Sequence, residues 1–194
     1  MGNISKEQID KVGQLLINSD RPLKERFRAL FTLKNIGGQQ CIDWIAKAFS
    51  DESALLKHEV AYCLGQLQDP LAIPILTDVL ADSSREPIVR HEAAEALAAI
   101  GGDNNEEINK MLTKYSKDEV VEVRETCQLA LDMMEFRKNN KNVEGNEYGS
   151  VDPAPASKEL NVDKLKTELL NTNLSLFERY FMICMILHQS LLTS

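Results

Sequence analysis

Two stretches of this chain repeat one another. Lys57-His58-Glu59-Val60-Ala61-Tyr62-Cys63-Leu64 aligns without gaps onto Arg90-His91-Glu92-Ala93-Ala94-Glu95-Ala96-Leu97, 33 residues further on. Self-similarity at such a period is the mark of a repeat architecture, whose units bury their apolar faces only by stacking on their neighbours. The next register carries Val123-Arg124-Glu125, with Ala130 and Met133 at the later apolar positions. One register earlier, shortened by two residues, Arg26-Phe27-Arg28 is followed by Leu30, Leu33 and Ile36. Four units thus share one skeleton, and the central two carry His-Glu.

Each unit reads as two helices. Val60, Cys63, Leu64 and Leu67 recur three and four apart, the stripe of a buried helix face. Asp69-Pro70 breaks that run, and Ala72, Ile73, Leu76, Val79 and Leu80 form a second stripe. Gly37-Gly38 and Gly101-Gly102 are expected as left-handed helix caps. Residues 50–53 and 82–86 read as polar turns. Aromatic residues make up only 6% of the chain, which also favours helix over strand. The expected fold is all-α: a HEAT-type α-solenoid of antiparallel helix pairs over residues 4–137, with armadillo and tetratricopeptide repeats as neighbouring architectures. The tetratricopeptide consensus of Trp, Leu-Gly and Tyr is absent.

The character changes after residue 137. Residues 138–160 contain Lys138-Asn139-Asn140-Lys141-Asn142, Gly145, Gly149 and Pro153-Ala154-Pro155-Ala156, and read as a flexible linker. A longer period follows. Residues 10–27 align without gaps onto residues 163–180, with seven of eighteen positions identical, and Leu23-Lys24-Glu25-Arg26-Phe27 is echoed by Leu176-Phe177-Glu178-Arg179-Tyr180. The match ends at Tyr180. The expected organisation is 1–137 as four HEAT-like repeats, 138–160 as linker, and 161–194 as the truncated start of a second block, beginning with one helical pair. Its last residues have the look of a different reading frame, a retained intron or an alternative exon.

Bulk properties narrow the function. A net charge of -8 is unsuited to nucleic acid, which needs basic patches against phosphate. The N-terminus MGNISKEQID has no basic region followed by an apolar run, so no secretory signal is read. Lys6 breaks the myristoylation pattern. The longest apolar run, 181–187, is too short to span a bilayer. Cys41, Cys63, Cys127 and Cys184 are scattered without a CxxC pair, which suits reduced, packed thiols in the cytoplasm or nucleus.

The His-Glu steps carry the chemistry. Of three histidines, two precede Glu at equivalent positions of adjacent repeats. Neighbouring helices pack about 8–10 Å apart, so imidazoles from His58 and His91 are expected to converge on one cation from the second helices of their repeats, on the concave face. With Glu92 or Glu59 they make a two-His, one-carboxylate set with open positions, typical of non-haem iron that handles dioxygen. Zinc also suits these ligand types. No Ser-His-Asp triad, phosphate-cradling glycine loop or HExxH is present.

The order LKERFRALFTLKNIGG, LLKHEVAYCLGQLQD, VRHEAAEALAAIGG and VRETCQLALD resembles the deoxyhypusine hydroxylase family over residues 1–137, and LSLFERY extends the resemblance to Tyr180. It implies two four-repeat halves that together hold a di-iron centre through four His-Glu motifs. It also implies hydroxylation of the deoxyhypusine side chain of a translation initiation factor, a protein partner, using dioxygen and a reductant. His58, Glu59, His91 and Glu92 match the first two motifs, and the third and fourth have no counterpart. Glu59 is the carboxylate that would receive a substrate ammonium group if iron does not take it. Half the ligands implies a poor or inactive hydroxylase, unless two copies rebuild the site as a homodimer, an arrangement not favoured because the divergent tail occupies the docking place. The rival readings are a catalytically inactive HEAT interaction scaffold and a protein resembling the bilin lyases, which share the repeat type.

Overall fold

The structure, a computed structural model, describes residues 4–101, 105–139, 159 and 161–180. The described residues contain helices and turns and no strand, so the all-α reading holds. Four antiparallel pairs follow one another: α1 (Lys6–Ile17) with α2 (Leu23–Ile36), α3 (Gln39–Lys47) with α4 (Ala54–Leu67), α5 (Ile73–Ala81) with α6 (Pro87–Gly101), and α7 (Glu106–Tyr115) with α8 (Val121–Asn139). The second helices form one layer, in which α4 packs on α2 and α6, and α6 on α8. A further helix, α9 (Val162–Leu169), follows, and residues 176–180 are again helical. Most of the expected linker and all of the tail after Tyr180 lie outside the described residues, as does Gly102.

Local sequence sets the helix ends. Ser5 caps α1 with a capping box closed by Gln8, Ser53 caps α4 through the Leu56 amide, and Asn105 and Asn161 cap α7 and α9. Gly37 and Gly38 hold φ of 72° and 84°, as expected of the cap after α2. Gly101 behaves otherwise. It is the last residue of α6, and a Cβ there would lie 2.8 Å from Ile108 Cδ1, so a larger residue would have to displace that side chain of α7. The cap after α4 falls to Gln68, whose φ is 50°.

One continuous core runs through the stack, from Leu16, Leu30 and Leu33 through Ile42, Leu64, Leu76 and Leu97 to Leu112 and Cys127. Embedded in it is a ladder of cations at the starts of the second helices. Arg26, Lys57 and Arg90 are 4%, 9% and 3% exposed. Arg90 Nε donates to the Leu80 carbonyl at 3.0 Å, capping an otherwise unpaired C-terminal carbonyl of α5. Its guanidinium reaches forward to both Asp118 oxygens, at 2.6 and 3.4 Å. Arg26 repeats both contacts, to the Leu16 carbonyl at 2.8 Å and to Asp51. Lys57, a single donor head on a flexible stem, makes the forward contact to Glu86 at 2.6 Å. Arg26 and Arg90 thus tie their own hairpins together and fasten them to the next, and Lys57 fastens its hairpin forward.

The same device opens the second block: Arg179 Nε donates to the Leu169 carbonyl at 2.8 Å, ten residues back, as Arg26 does to Leu16. Phe177 and Tyr180 pack on Met133, Leu129 and Phe136, so this segment rests on α8.

Breaking one rung should be costly. Removing one partner of a buried pair leaves the other charge unpaired, so Asp118→Ala should lower unfolding free energy by about 3 kcal/mol, read by urea denaturation. Hydrogen bonds from Arg90 hold the Asp118 carboxyl below its ordinary 3.8. Burial pushes Asp51 up, but hydrogen bonds from Arg26 and the Ser53 amide outweigh it, and its pKa also lies below 3.8. A depressed folded pKa contributes stability above the unfolded value, and that contribution is lost as pH falls through the folded one. Acid titration followed by circular dichroism should therefore show stability draining below about pH 4, with a shallower loss in Asp118→Asn.

Candidate metal centre

His58 and Glu59 sit on α4, and His91 and Glu92 on α6. On α4 the incompletely buried residues Leu55, His58, Glu59, Tyr62 and Gln66 recur three and four apart, one stripe beside the buried Leu56, Val60 and Cys63 face. The corresponding stripe of α6 is Ile88, His91 and Glu95, with Glu92 turned further inward at 6% exposure.

The two helices meet closely because small residues face one another. A Cβ on Gly65 would fall 2.8 Å from both Cα and Cβ of Ala96, a distance that real side chains do not tolerate. The bare glycine lets the backbones approach, and the imidazoles of His58 and His91 come to a centroid separation of 5.7 Å.

Glu92 lies between them. Its Oε2 is 3.2 Å from His58 Nε2 and 4.0 Å from His91 Nε2. One donor atom from each of His58, His91 and Glu92 lies within 4.8 Å of the other two. Donors on one cation at about 2.1 Å are separated by no more than about 4.2 Å, so an adjustment of under about an ångström closes the set. Two neutral imidazole nitrogens and a carboxylate oxygen fit iron or zinc. His58 Nδ1, on the edge of the ring away from Glu92, is buried and makes no aligned hydrogen bond although Glu59 Oε1 is 3.3 Å away.

Glu59 does not join this group of three. Its carboxylate lies beside His58 Nδ1, whereas the contact to Glu92 is through Nε2, at the far side of the ring. The structure therefore brings His58, His91 and Glu92 together and sets Glu59 behind His58, half-exposed.

The two imidazoles differ in proton affinity. The hydrogen bond to Glu92 raises the His58 pKa above 6.5 against the opposing effect of burial, with Glu59 adding to the rise. Burial lowers that of His91, the Glu92 charge opposing and His58 reinforcing the shift. Without a metal, a proton is therefore held more readily on His58 than on His91. A cation that takes both imidazoles must displace it, so binding tightens as pH rises.

One contact escaped the reading of the sequence. Thr126 Oγ1 on α8 is 3.4 Å from His91 Nδ1. Thr126 lies in the same VRETCQLALD stretch that marks the fourth repeat, but its relation to His91 exists only once α8 is stacked on α6. A cleft beside these residues is lined by Glu95, Ala98, Leu129 and Met133 together with His91 and Thr126.

Comparison with known proteins agrees with this architecture. The HEAT repeats family matches residues 9–98. Deoxyhypusine hydroxylase from Drosophila pseudoobscura pseudoobscura is 55% identical over 179 residues, 91% of this chain and 58% of the relative. The Homo sapiens protein of the same name is 51% identical over 178 residues, with the same coverage. A solved structure of human deoxyhypusine hydroxylase in complex with glycerol superposes with a TM-score of 0.88 at 50% identity, covering 93% of this chain and 62% of that one. The chain thus spans 58% of the length of the curated relatives it matches. Among the described residues no helix is long and apolar enough to cross a membrane.

Gly65→Ala tests the geometry. Forcing a methyl group between α4 and α6 should destabilise the fold by about 1–3 kcal/mol. It should also separate His58 from His91, so that affinity for a divalent cation falls further than in Ala61→Gly, a control that leaves the Gly65–Ala96 approach intact. Equal affinity in Gly65→Ala and in the parent chain would show that this approach does not set the site.

Proposed function

We propose, from the premise that this chain belongs to the deoxyhypusine hydroxylase family, that His58, His91 and Glu92 hold iron for hydroxylation of a deoxyhypusine side chain on a translation initiation factor. The observation that carries this reading is the convergence of the three donors from adjacent repeats, each within 4.8 Å of the others. Iron bound there supplies the activation of dioxygen that insertion into an unactivated C–H bond requires.

The chain's own residues do the rest. His58 and His91 offer Nε2 toward Glu92, so the carboxylate both completes the donor set and offsets its charge. Glu59, placed behind His58 and half-exposed, is free of that donor set. It is the carboxylate suited to the ammonium groups of a lysine extended by an aminobutyl arm, where a charge-assisted hydrogen bond exceeds a neutral one in strength. The acidic balance of the chain, with 30 Asp and Glu against 22 Lys and Arg, favours the approach of such a cationic substrate.

These 194 residues carry two His-Glu motifs, at His58 and His91, where the family resemblance implies four. They furnish ligands for one half of a di-iron centre. Such a half leaves one side of the metal open to water, and its turnover is proposed to be low or absent. The second reading is a HEAT interaction scaffold that does no chemistry.

Two measurements separate the readings. The purified chain, supplied with ferrous iron under anaerobic conditions, should bind it, and His58→Ala or His91→Ala should weaken the uptake; a chain that takes up no iron favours the scaffold reading. In a full-length relative, replacing the residue equivalent to Glu59 by Gln should leave iron content unchanged and raise KM for the deoxyhypusine-bearing protein by about tenfold, the effect of losing one charged hydrogen bond. Loss of iron from that variant would make Glu59 a ligand instead.

A further inference from the structure

Different groups stand behind the two imidazoles of the site. His58 Nδ1 faces Glu59 on its own helix, at 3.3 Å. His91 Nδ1 faces Thr126 on the next repeat, at 3.4 Å. The repeat makes this asymmetry specific: 33 residues before Thr126, where a partner for His58 would stand, the chain has Ala93, which carries no hydroxyl.

We propose that Thr126 is a positioning residue for the metal centre, its hydroxyl accepting the Nδ1 proton of His91 and so leaving the Nε2 lone pair directed at Glu92 and the cation. This rests on the metal reading given above, but its first consequence concerns the metal-free protein.

The argument is one of tautomer and ring orientation. Neutral imidazole carries one proton on either nitrogen, and the hydrogen bond made by the other nitrogen decides which one is available to a metal. A ligating histidine whose second nitrogen lacks a partner holds neither its tautomer nor its ring angle. Packing alone does not provide that hold at His91. Its side chain is 27% exposed, and the cleft beside it, bounded by Ala98, Leu129 and Met133, leaves room on the Thr126 side of the ring. A half-turn of the ring would put carbon where Nε2 now faces Glu92. Thr126 is the polar side-chain contact described for the Nδ1 edge, and the turn that leads into its helix α8 is anchored to the start of α6 through the Arg90–Asp118 pair.

Thr126→Val keeps the branched shape and removes the hydroxyl, whereas Thr126→Ser keeps the hydroxyl and removes a methyl group. In metal-free protein, nitrogen-proton correlation spectra of the imidazoles, with His91 assigned by its loss in His91→Gln, report the tautomer directly. The parent and Thr126→Ser should show His91 protonated on Nδ1, and Thr126→Val should shift it toward Nε2. Anaerobic titration with ferrous iron should then give about tenfold weaker binding in Thr126→Val, restored in Thr126→Ser, with unfolding midpoints unchanged. A Thr126→Val protein that keeps the Nδ1 tautomer overturns the proposal. If the parent shows the Nδ1 tautomer, lost in Thr126→Val, yet binds no iron, the positioning role stands and the metal reading fails.

Discussion

The approach of α4 to α6 at Gly65 and Ala96 is the constraint on which the rest depends. Side chains of ordinary size at that crossing would hold the helices further apart, and His58, His91 and Glu92 would then be three unrelated polar residues on a half-exposed surface. With a hydrogen atom in place of a Cβ, the helices close until backbone and methyl group touch, and the imidazoles come to 5.7 Å. The site is thus a product of packing in the layer of second helices, and its polar residues need no loop to bring them together.

Translation and rotation along that layer are set separately, by the buried cations. Arg26, Lys57 and Arg90 occupy equivalent places, each one residue before the position that holds Phe27, His58 or His91. Because a fixed side chain at one position fixes the helix phase, the rung formed by Lys57 and Glu86 sets the angle of His58, and the rung formed by Arg90 and Asp118 sets that of His91. A buried ion pair adds little net stability over apolar residues, but it penalises wrong registers heavily. In a stack of similar hairpins, a slipped alignment would leave these buried charges without their partners.

Much of this was legible in the residues themselves. The 33-residue spacing, the stripes from Val60 to Leu67 and from Ala72 to Leu80, and the shared position of His58 and His91 are one-dimensional patterns, and helices convert them directly into faces. What lay beyond reach depended on contacts between repeats. The cations were visible at their positions, but their acids, Asp51, Glu86 and Asp118, stand in turns at separations that differ from rung to rung, so no period reveals them. Thr126 looked like one polar residue among several on α8 until stacking brought it against His91. Gly101 does end α6, as the sequence implies, and as its last helical residue it lies close against Ile108 of the following helix. The left-handed residue after α4 is Gln68, which has no backbone preference that would announce it.

The central claim is that adjacent repeats offer two imidazoles and one carboxylate to a single cation. X-ray absorption at the iron edge of the ferrous-loaded chain tests it most directly. The account predicts imidazole scattering corresponding to two histidines per iron, alongside oxygen ligands, and loss of half of that imidazole signal in His91→Ala. An iron shell of oxygen alone, or one unchanged in His91→Ala, would contradict it.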